Sequence, residues 1–355
     1  MSELAQTHTG SSQVMTVLGP VAAVELGVTL MHEHILNDCR CWWHKPKDPA
    51  RLRLACEDVT PGIIGELRMD PFVNLDNCTL DDERLAIAEL AQAVELGART
   101  VIDPTCRGIG RDPRALARIA AATGLNIVMG AGYYLEASHP PEVANLPPEA
   151  IADRIVAEAR DGVDGTGVRI GIIGEIGVSA DFTPAEQRSL RGAAQAARRT
   201  GLPLMVHLPG WFRHAHRVLD MTEAEGADPR HTVLCHMNPS FADSEYQRSL
   251  AQRGAFLEYD MVGMDYWYAD QGVQCPSDED NARALAGLIE AGHLDRLLIS
   301  QDVFLKMMLT RYGGFGYAYI LRHFVPRLQR HGVAPAAIET MLVANPRSVF
   351  WKAEV

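Results

Sequence analysis

The sequence lacks an excess of positive charge, and that absence narrows the range of partners. Its 355 residues include 33 lysines and arginines against 45 aspartates and glutamates, a formal net charge of −12. A protein with this balance repels the phosphates of nucleic acids and the headgroups of anionic membranes. We therefore expect a small-molecule substrate and no nucleic-acid or membrane partner. We also expect a homodimer.

Long apolar runs and paired cysteines are missing as well. No stretch approaches the roughly 18 apolar residues that span a bilayer, and residues 1–13 lack the basic start and apolar core of a signal peptide. The 7 cysteines form no Cys-x-x-Cys motif, and the one close pair, Cys39 and Cys41, is explained by two reduced thiols in a loop. These absences favour a reducing cytoplasmic location over a disulfide scaffold.

No linker or low-complexity segment divides the chain, so we predict one folded domain. Residues 1–13 resemble a tail, and residues 14–355 form the domain, which opens with a β-hairpin around Gly19. Eight apolar strands then alternate with helices. The predicted strands are Val28–Met31, Thr100–Ile102, Asn126–Met129, Ile170–Ile173, Pro203–Val206, Thr232–Cys235, Ala255–Glu258 and Leu297–Ser300. This alternation predicts an α/β fold, a single TIM (β/α)8 barrel with right-handed crossovers.

Two local features accompany this alternation. The segment 37–77 after the first strand is long and irregular, and a connection of that length within a compact domain is usually functional or loosely ordered. Thr79 with Asp82 predicts a capping box at the start of the next helix, and Thr183 with Glu186 predicts another.

A His-Glu-His motif stands at the end of the first predicted strand. Side chains alternate along a strand, so His32 and His34 face the same side and Glu33 faces the other. Two neutral imidazoles side by side can hold one divalent cation. In a chain with 13 histidines such a pair can also arise by chance. We expect Glu33 to be structural.

Ligand-type residues recur at the ends of the later strands, and in a barrel those ends converge on one mouth. The set is His32, His34, Glu175, His207, His236 and Asp302. Four imidazoles and two carboxylates exceed the needs of one ion and suit two divalent ions that share a bridging carboxylate and a bridging hydroxide. We expect zinc, with manganese or cobalt as alternatives. Asp103, at the second strand end, either orients a histidine or forms a turn.

Several short segments have amino-acid sequences that are characteristic of a known family. These segments are Val17-Leu18-Gly19-Pro20, His32-Glu33-His34, Gly174-Glu175-Ile176-Gly177, Tyr312 to Tyr317, Val325-Pro326 and Asn345-Pro346. With His207, His236 and Asp302, they give a chain that resembles the phosphotriesterase family of the amidohydrolase superfamily over nearly its whole length. The resemblance implies a TIM barrel with a binuclear divalent-metal site that hydrolyses lactones, carboxyl esters, amides or phosphotriesters.

The resemblance also implies how the ligands divide. His32, His34 and Asp302 would hold one metal, and His207 and His236 the other. Many members bridge the two metals with a carboxylated lysine on strand four, whereas this chain has Glu175 there. The sequence around this glutamate resembles that of the phosphotriesterase-related proteins. The resemblance therefore makes hydrolysis of organophosphates a weaker expectation.

The expected chemistry assigns further roles. Two cations would lower the pKa of a shared water and polarise the scissile oxygen, and Asp302 would be the catalytic proton acceptor. Aromatic residues after the strands, which could also be simple packing, are the candidate substrate contacts: Tyr133, Tyr134, Trp211, Tyr266, Trp267 and Tyr268. Lys306, Arg311 and Arg213 are candidates to meet a substrate carboxylate.

The leading hypothesis is a binuclear metal-dependent hydrolase that cleaves a small ester, lactone or amide. One alternative is a phosphotriester hydrolase. Another is a non-catalytic metal-binding barrel, and a third is a mononuclear enzyme of isomerisation or decarboxylation. The number of metal ions per chain separates the leading hypothesis from the last two.

Overall fold

The computed structural model describes residues 13–351, which begin with a short antiparallel hairpin. Gln13–Thr16 pairs with Gly19–Ala22. Gln13 was predicted as part of the tail but belongs to the first strand, and the rest of that predicted tail lies outside the described residues. The backbone N–H of Val17 donates to the carbonyl of Ile127 at 2.9 Å, so the hairpin is attached to the main sheet.

The main sheet consists of parallel strands in chain order, which we label β1 to β8. They are β1 Val28–Leu30, β2 Ala98–Asp103, β3 Asn126–Met129, β4 Ile173–Gly177, β5 Leu204–His207, β6 Thr232–Leu234, β7 Phe256–Tyr259 and β8 Leu297–Ile299. Regular pairing gives a 3-stranded section, β1 to β3, and a 5-stranded section, β4 to β8. All neighbouring strands within both sections run parallel.

Backbone hydrogen bonds join the two sections at both seams. Between β3 and β4, Gly171 N donates to Met129 O at 3.0 Å. Between β8 and β1, Asp302 N donates to His32 O, and His34 N donates to Val303 O, each at 3.1 Å. The sheet therefore surrounds a common axis, and the predicted TIM barrel is confirmed.

Helices cover the outside of the barrel. They are Glu83–Glu95, Pro113–Thr123, Pro148–Asp161, Pro184–Thr200, Ala215–Ala224, Ser244–Gln252 and Asp278–Glu290, followed by Val325–Arg330, Pro335–Glu339 and Asn345–Phe350 near the C-terminus. Two π-helical segments, Ile320–Phe324 and Thr340–Ala344, join these last helices. Within the part of the chain that the structure describes, no helix combines the length and the apolar character that a membrane crossing needs.

Of the two predicted capping boxes, one is confirmed and the other is wrong. Thr183 and Glu186 form the predicted capping box. The box at Thr79 was wrong, because Thr79–Leu80 pairs as a short strand with Asn37–Asp38. Asp82 caps that helix by accepting hydrogen bonds from Arg84 N and Leu85 N.

The fourth strand begins later than predicted. It covers Ile173–Gly177 rather than Ile170–Ile173, because the preceding residues are held at the seam, where Gly171 bonds to Met129. Gly174 Cα must lie close to β5, since a Cβ there would meet Met205 O at 2.2 Å. Glu175 is consequently an interior residue of β4, not a residue after its end.

The barrel interior has its own apolar core. Each barrel strand or its margin supplies a buried side chain: Met31, Ile102, Val128, Ile172, Met205, Val233, Phe256 and Leu298. Val14 of the hairpin and Phe350 of the last helix join this cluster. The interior is thus filled below the strand ends, and polar side chains at the C-terminal ends lie above it.

The long segment 37–77 is built from short turns rather than from open loop. Its helical pieces are Arg40–Trp42, Pro49–Cys56, Pro61–Ile63, Ile64–Arg68, Pro71–Val73 and Asp76–Cys78. Buried Asn74 donates to the carbonyls of Leu54 and Glu57 at 2.5 and 2.8 Å, and its own side-chain oxygen accepts from Asn77 N at 2.7 Å. These bonds hold the segment together internally.

Candidate metal centre

The barrel brings together the six residues that sequence spacing selected, and we call them the ligand cluster: His32, His34, Glu175, His207, His236 and Asp302. All six are buried. They fall into two groups whose ligand atoms lie within 4.8 Å of one another. One group is His32, His34 and Asp302, and the other is Glu175, His207 and His236.

Glu175 lies between these groups. Its Oε2 is 3.1 Å from His207 Nδ1, 3.4 Å from His236 Nε2 and 3.6 Å from His32 Nε2. Its Oε1 is 3.5 Å from His34 Nε2. One carboxylate therefore faces histidines of both groups, because β4 is the strand whose interior residue reaches the centre of the mouth.

Asp302 lies beside the two histidines of its own group. Its Oδ1 is 3.7 Å from His32 Nε2 and 3.5 Å from His34 Nε2. Both Asp302, with φ of 45°, and His236, with φ of 57°, have left-handed backbones. Non-glycine residues rarely adopt this conformation, and such strain concentrates at functional sites.

The chemistry of the cluster fits a divalent cation. Among residues 13–351, His32 Nε2 and Asp302 Oδ1 are buried without a hydrogen-bond partner. Leaving such atoms unpaired is costly. A divalent ion held by imidazole nitrogen and carboxylate oxygen would satisfy both, and zinc or manganese accepts this mixed donor set.

The electrostatics of the cluster favour protonation of His32 and His236 when no ion is bound, whereas burial lowers the pKa of His207. Burial opposes the charge on His32, but the carboxylates of Asp302 and Glu175 hold its pKa well above the usual value. Likewise, Asp260 overcomes burial and raises the pKa of His236 to about 10. Since imidazole binds a metal in its neutral form, occupation of this site releases protons.

Two carboxylates, Glu258 on β7 and Asp260 directly after it, lie beside the histidines of the ligand cluster. Asp260 Oδ1 is 2.9 Å from His236 Nδ1, and its Oδ2 is 3.1 Å from His32 Nδ1. Glu258 Oε2 also lies 3.3 Å from His32 Nδ1. Sequence reasoning gave neither residue a role, although Asp260 follows a strand end, the one signal that could have selected it. Asp260 contacts one histidine of each group and fixes both rings.

Asp103 fills both roles that the sequence left open. Its Oδ1 accepts from Thr105 N at 3.0 Å and its Oδ2 from Ile35 N at 3.2 Å, so it shapes the turn after β2. Thr105 Oγ1 in turn lies 2.7 Å from His34 Nδ1. Asp103 therefore acts on the ligand cluster through Thr105.

Glu33 faces away from the ligand cluster, as its place between the two histidines predicted. Its Oε1 accepts from Ser300 Oγ at 2.6 Å and from Gln301 Nε2 at 2.8 Å. Its Oε2 accepts from Val303 N at 2.9 Å. These bonds tie the ends of β1 and β8 together, so Glu33 holds the two strands that carry His32, His34 and Asp302.

A cavity of about 600 Å³ opens above the ligand cluster. Its aromatic wall is formed by Trp42, Phe72, Tyr134, Trp211, Phe212, Tyr268 and Phe304. Ring centroids are 5.4 Å apart for Trp42 and Phe72, and 5.1 Å apart for Phe72 and Tyr268. Tyr134 packs edge-on against His207 at 4.7 Å. The aromatic wall therefore extends from the mouth to the ligand cluster.

Only part of this wall was predicted. Tyr134 and Trp211 line the cavity, whereas Tyr133, Tyr266 and Trp267 do not. Tyr133 packs against His139, because successive side chains point to opposite sides and Tyr134 takes the cavity side.

Tyr266 and Trp267 belong to a segment whose cavity residue is Tyr268. Tyr268 and its neighbour Trp267 form a short strand, so their side chains face opposite sides. Tyr266 lines a separate cavity, together with Gly263 and Tyr319. Of the predicted aromatic run 266–268, Tyr268 lines the cavity, whereas Tyr266 and Trp267 do not.

The predicted cations also lie elsewhere. Lys306 is paired with Asp76, and Arg213 with Asp243 at 3.0 Å. Neither of these residues nor Arg311 lines the cavity. Sequence reasoning also missed Trp42, Phe72 and Phe304 as wall residues, since two of them come from the segment 37–77, whose path no periodicity reveals.

The comparison with known families decides the classification. The model of the phosphotriesterase family matches residues 12–350. This chain belongs to the phosphotriesterase family. A phosphotriesterase-related protein of Nematostella vectensis is 35% identical over 344 residues, which cover 95% of this chain and 98% of that protein. The resemblance seen in the sequence is confirmed.

Two further relatives extend the comparison. An N-acetyltaurine hydrolase of Tetraodon nigroviridis is 35% identical over 343 residues, covering 95% of this chain and 97% of that protein. The crystal structure of a resiniferatoxin-binding protein from Rhodobacter sphaeroides is 63% identical, with a TM-score of 0.95 and coverage of 99% and 98% of the two chains. This phosphotriesterase-family chain is accordingly a metal-dependent hydrolase, and the alternative of a non-catalytic barrel is set aside.

Proposed function

We propose that this chain hydrolyses a small ester, lactone or amide at a site for two divalent ions. The observation that carries the proposal is the position of Glu175, whose carboxylate lies 3.1 to 3.6 Å from imidazoles of both groups. A glutamate with four histidines around it supports a role as the bridging ligand.

The residues of the cluster divide between the ions as follows. His32, His34 and Asp302 would hold one ion, His207 and His236 the other, and Glu175 would contact both. Zinc suits these ligands best, and manganese or cobalt is compatible with them. Bound ions of this kind lower the pKa of water and polarise the oxygen of the scissile bond.

Asp302 is the proposed proton acceptor. It is the carboxylate whose Oδ1 has no hydrogen-bond partner in the described chain, and it also lines the cavity. Its carboxylate lies 3.5 Å from His34 Nε2 and 3.7 Å from His32 Nε2, beside the place where the attacking water would be held. Asp302 can take a proton from that water and then deliver it to the leaving group.

Tyr134 is placed to orient the substrate. Its phenolic oxygen accepts a hydrogen bond from Trp42 Nε1 at 3.0 Å, which leaves its own proton for another acceptor. The ring lines the cavity beside His207. We propose that the hydroxyl donates to an oxygen of the bound substrate.

The relatives suggest which bonds to test. The N-acetyltaurine hydrolases act on an amide, and the Rhodobacter sphaeroides relative is named for binding resiniferatoxin. We include both compounds in a panel of esters, lactones, amides and phosphotriesters, assayed with zinc-loaded protein of measured metal content. We expect two ions per chain and turnover of at least one carboxylic substrate class. Two bound ions with no turnover, or a preference for phosphotriesters, would contradict the proposal.

We also propose that the chain forms a homodimer and is located in the cytoplasm. A homodimer in solution would give twice the chain mass of 38.9 kDa by light scattering. Cytoplasmic location would be tested by fractionating cells that express the chain from its own promoter.

A further inference from the structure

We propose that the cavity selects neutral apolar substrates and rejects those with an anionic group remote from the scissile bond. This inference rests on the proposed hydrolysis and deepens it. The leading observation is the charge of the cavity lining, which in the part of the chain that the structure describes includes no lysine or arginine.

Several cations on the loops of the chain are paired with carboxylates. Lys306 pairs with Asp76 and Arg213 with Asp243. Arg51 of the segment 37–77 pairs with Asp70 at 3.1 Å. None of these cations lines the cavity, so an anionic group on the aromatic wall would lose hydration without gaining a counter-charge.

Outside the ligand cluster, the charged side chains that line the cavity are negative. Glu136 and Asp181 line its outer part and are exposed, and Glu186 lines it further in. Glu186 is held by hydrogen bonds from the backbone N–H groups of Ser179 and Thr183 at 3.0 and 3.1 Å. Bound divalent ions would attract negative charge, but at the ligand cluster, where the scissile oxygen belongs. A second anionic group further out would meet these carboxylates instead.

The aromatic wall favours the binding of apolar substrates. Trp211 and Tyr268 approach at 5.7 Å between ring centroids, and Phe72 and Phe304 at 6.2 Å. The thioether of Met264 also lies against this wall, 3.8 Å from the Tyr268 hydroxyl. Rings and thioethers at such spacings pack well against an apolar or aromatic substrate.

The test uses two aryl acetates that differ in charge and little in size. One is 4-(methylsulfonyl)phenyl acetate, and the other is 4-acetoxybenzenesulfonate. The methylsulfonyl group withdraws electrons more strongly than the sulfonate, so each kcat/KM is divided by the rate of hydroxide-catalysed hydrolysis of the same ester before the two are compared. We expect zinc-loaded protein to show at least about a tenfold higher kcat/KM for the neutral ester, a ratio that decreases with added salt. Equal values, or a preference for the sulfonate, would overturn the inference.

A binding measurement separates this inference from the proposed function. The ethers 4-(methylsulfonyl)anisole and 4-methoxybenzenesulfonate cannot be hydrolysed, and calorimetry with zinc-loaded protein compares their affinities directly. Tighter binding of the neutral ether supports the inference even if neither acetate turns over, a result that would count against hydrolysis alone. Equal or tighter binding of the sulfonate would overturn the inference.

Charge reversal at the mouth tests the cause. Asp181→Lys should raise the ratio of kcat/KM for the sulfonate to kcat/KM for the neutral ester several-fold, with Asp181→Asn intermediate. Asp295→Lys is the matched control, since it makes the same change of net charge on an exposed turn before β8, at the opposite end of the barrel. An equal gain from Asp295→Lys, or no gain from Asp181→Lys, would overturn the role of the cavity charges.

Discussion

The ligand cluster and the aromatic wall face the same cavity but are built differently. The cluster residues come from or directly follow barrel strands, and several are tied to fixed partners, as His236 is to Asp260 at 2.9 Å. The wall residues come mainly from long connections, and their contacts are ring packing at 5 to 6 Å, such as Trp211 with Tyr268 at 5.7 Å. Chemistry thus lies on the rigid part of the barrel and selectivity on the adaptable part.

This difference predicts that changes in the cluster abolish the reaction, whereas changes in the wall alter which substrate is used. The following experiments test that division, from the largest expected effect to the smallest.

Glu175→Gln should have the largest effect. A neutral amide is a poor bridge between two cations, so both ions should bind weakly together and activity should fall more than about a hundredfold. Elemental analysis after dialysis measures the loss. Glu89→Gln, a buried carboxylate bonded to the Thr310 region instead, is the control and should keep both ions. Because glutamate carries its carboxylate permanently, added bicarbonate should not improve reactivation of the apo-protein. A bicarbonate requirement, or normal metal content in Glu175→Gln, would rule out this bridge.

Asp302→Asn should preserve the fold and lower turnover by roughly a hundredfold, the usual contribution of a positioned proton acceptor. The amide can still ligate weakly but cannot take the proton. Rates are compared at equal metal content, because weaker ligation alone would also reduce activity. Unchanged turnover at matched occupancy would remove Asp302 from proton transfer.

Asp260→Asn should weaken metal binding by roughly 10- to 100-fold, as loss of a partner that orients ligands does. Asp260 contacts His32 and His236, so the affinities of both sites should fall together. Competition with a chelator measures each affinity. Asp243→Asn removes a surface carboxylate that pairs with Arg213 and serves as the control. Loss at a single site would show that Asp260 supports only one group.

Trp211→Ala should raise KM for aromatic esters several-fold and leave kcat nearly unchanged, because it removes binding surface and no reacting group. Tyr266→Ala is the matched control, since Tyr266 lies outside the cavity. A loss of kcat in Trp211→Ala, or an equal KM change in Tyr266→Ala, would contradict the proposed separation of wall and cluster.

Thr183→Ala should have the smallest effect, a loss of about 1 kcal/mol in the free energy of unfolding. Thr183 accepts from Glu186 N at 3.2 Å in the capping box. Denaturant unfolding measures the change, with Thr183→Ser as the variant that should retain the cap. A change in kcat/KM would show that this helix start also positions the cavity.

Much of the scaffold was predictable because its signals are local. The N-cap Thr183, the alternation of strands and helices, and the spacing of His32 and His34 depend only on neighbours in the chain. The Thr79 prediction failed for a tertiary reason: that residue pairs with Asp38 of a distant segment, which outweighs a local capping preference.

The sequence by itself determined the barrel, its order of strands and the six ligand-type residues, since each follows from a short-range period and a topological rule. Only the tertiary structure decided that Glu175 lies within its strand between both groups, and that Asp260 contacts a histidine from each. It also decided which aromatic residues reach the cavity, because the path of the segment 37–77 depends on long-range contacts such as Trp42 with Tyr134. Periodicity in the sequence does not report distances between strands. For that physical reason the ligand-type residues could be predicted from the sequence, whereas the residues that line the cavity could be predicted only in part.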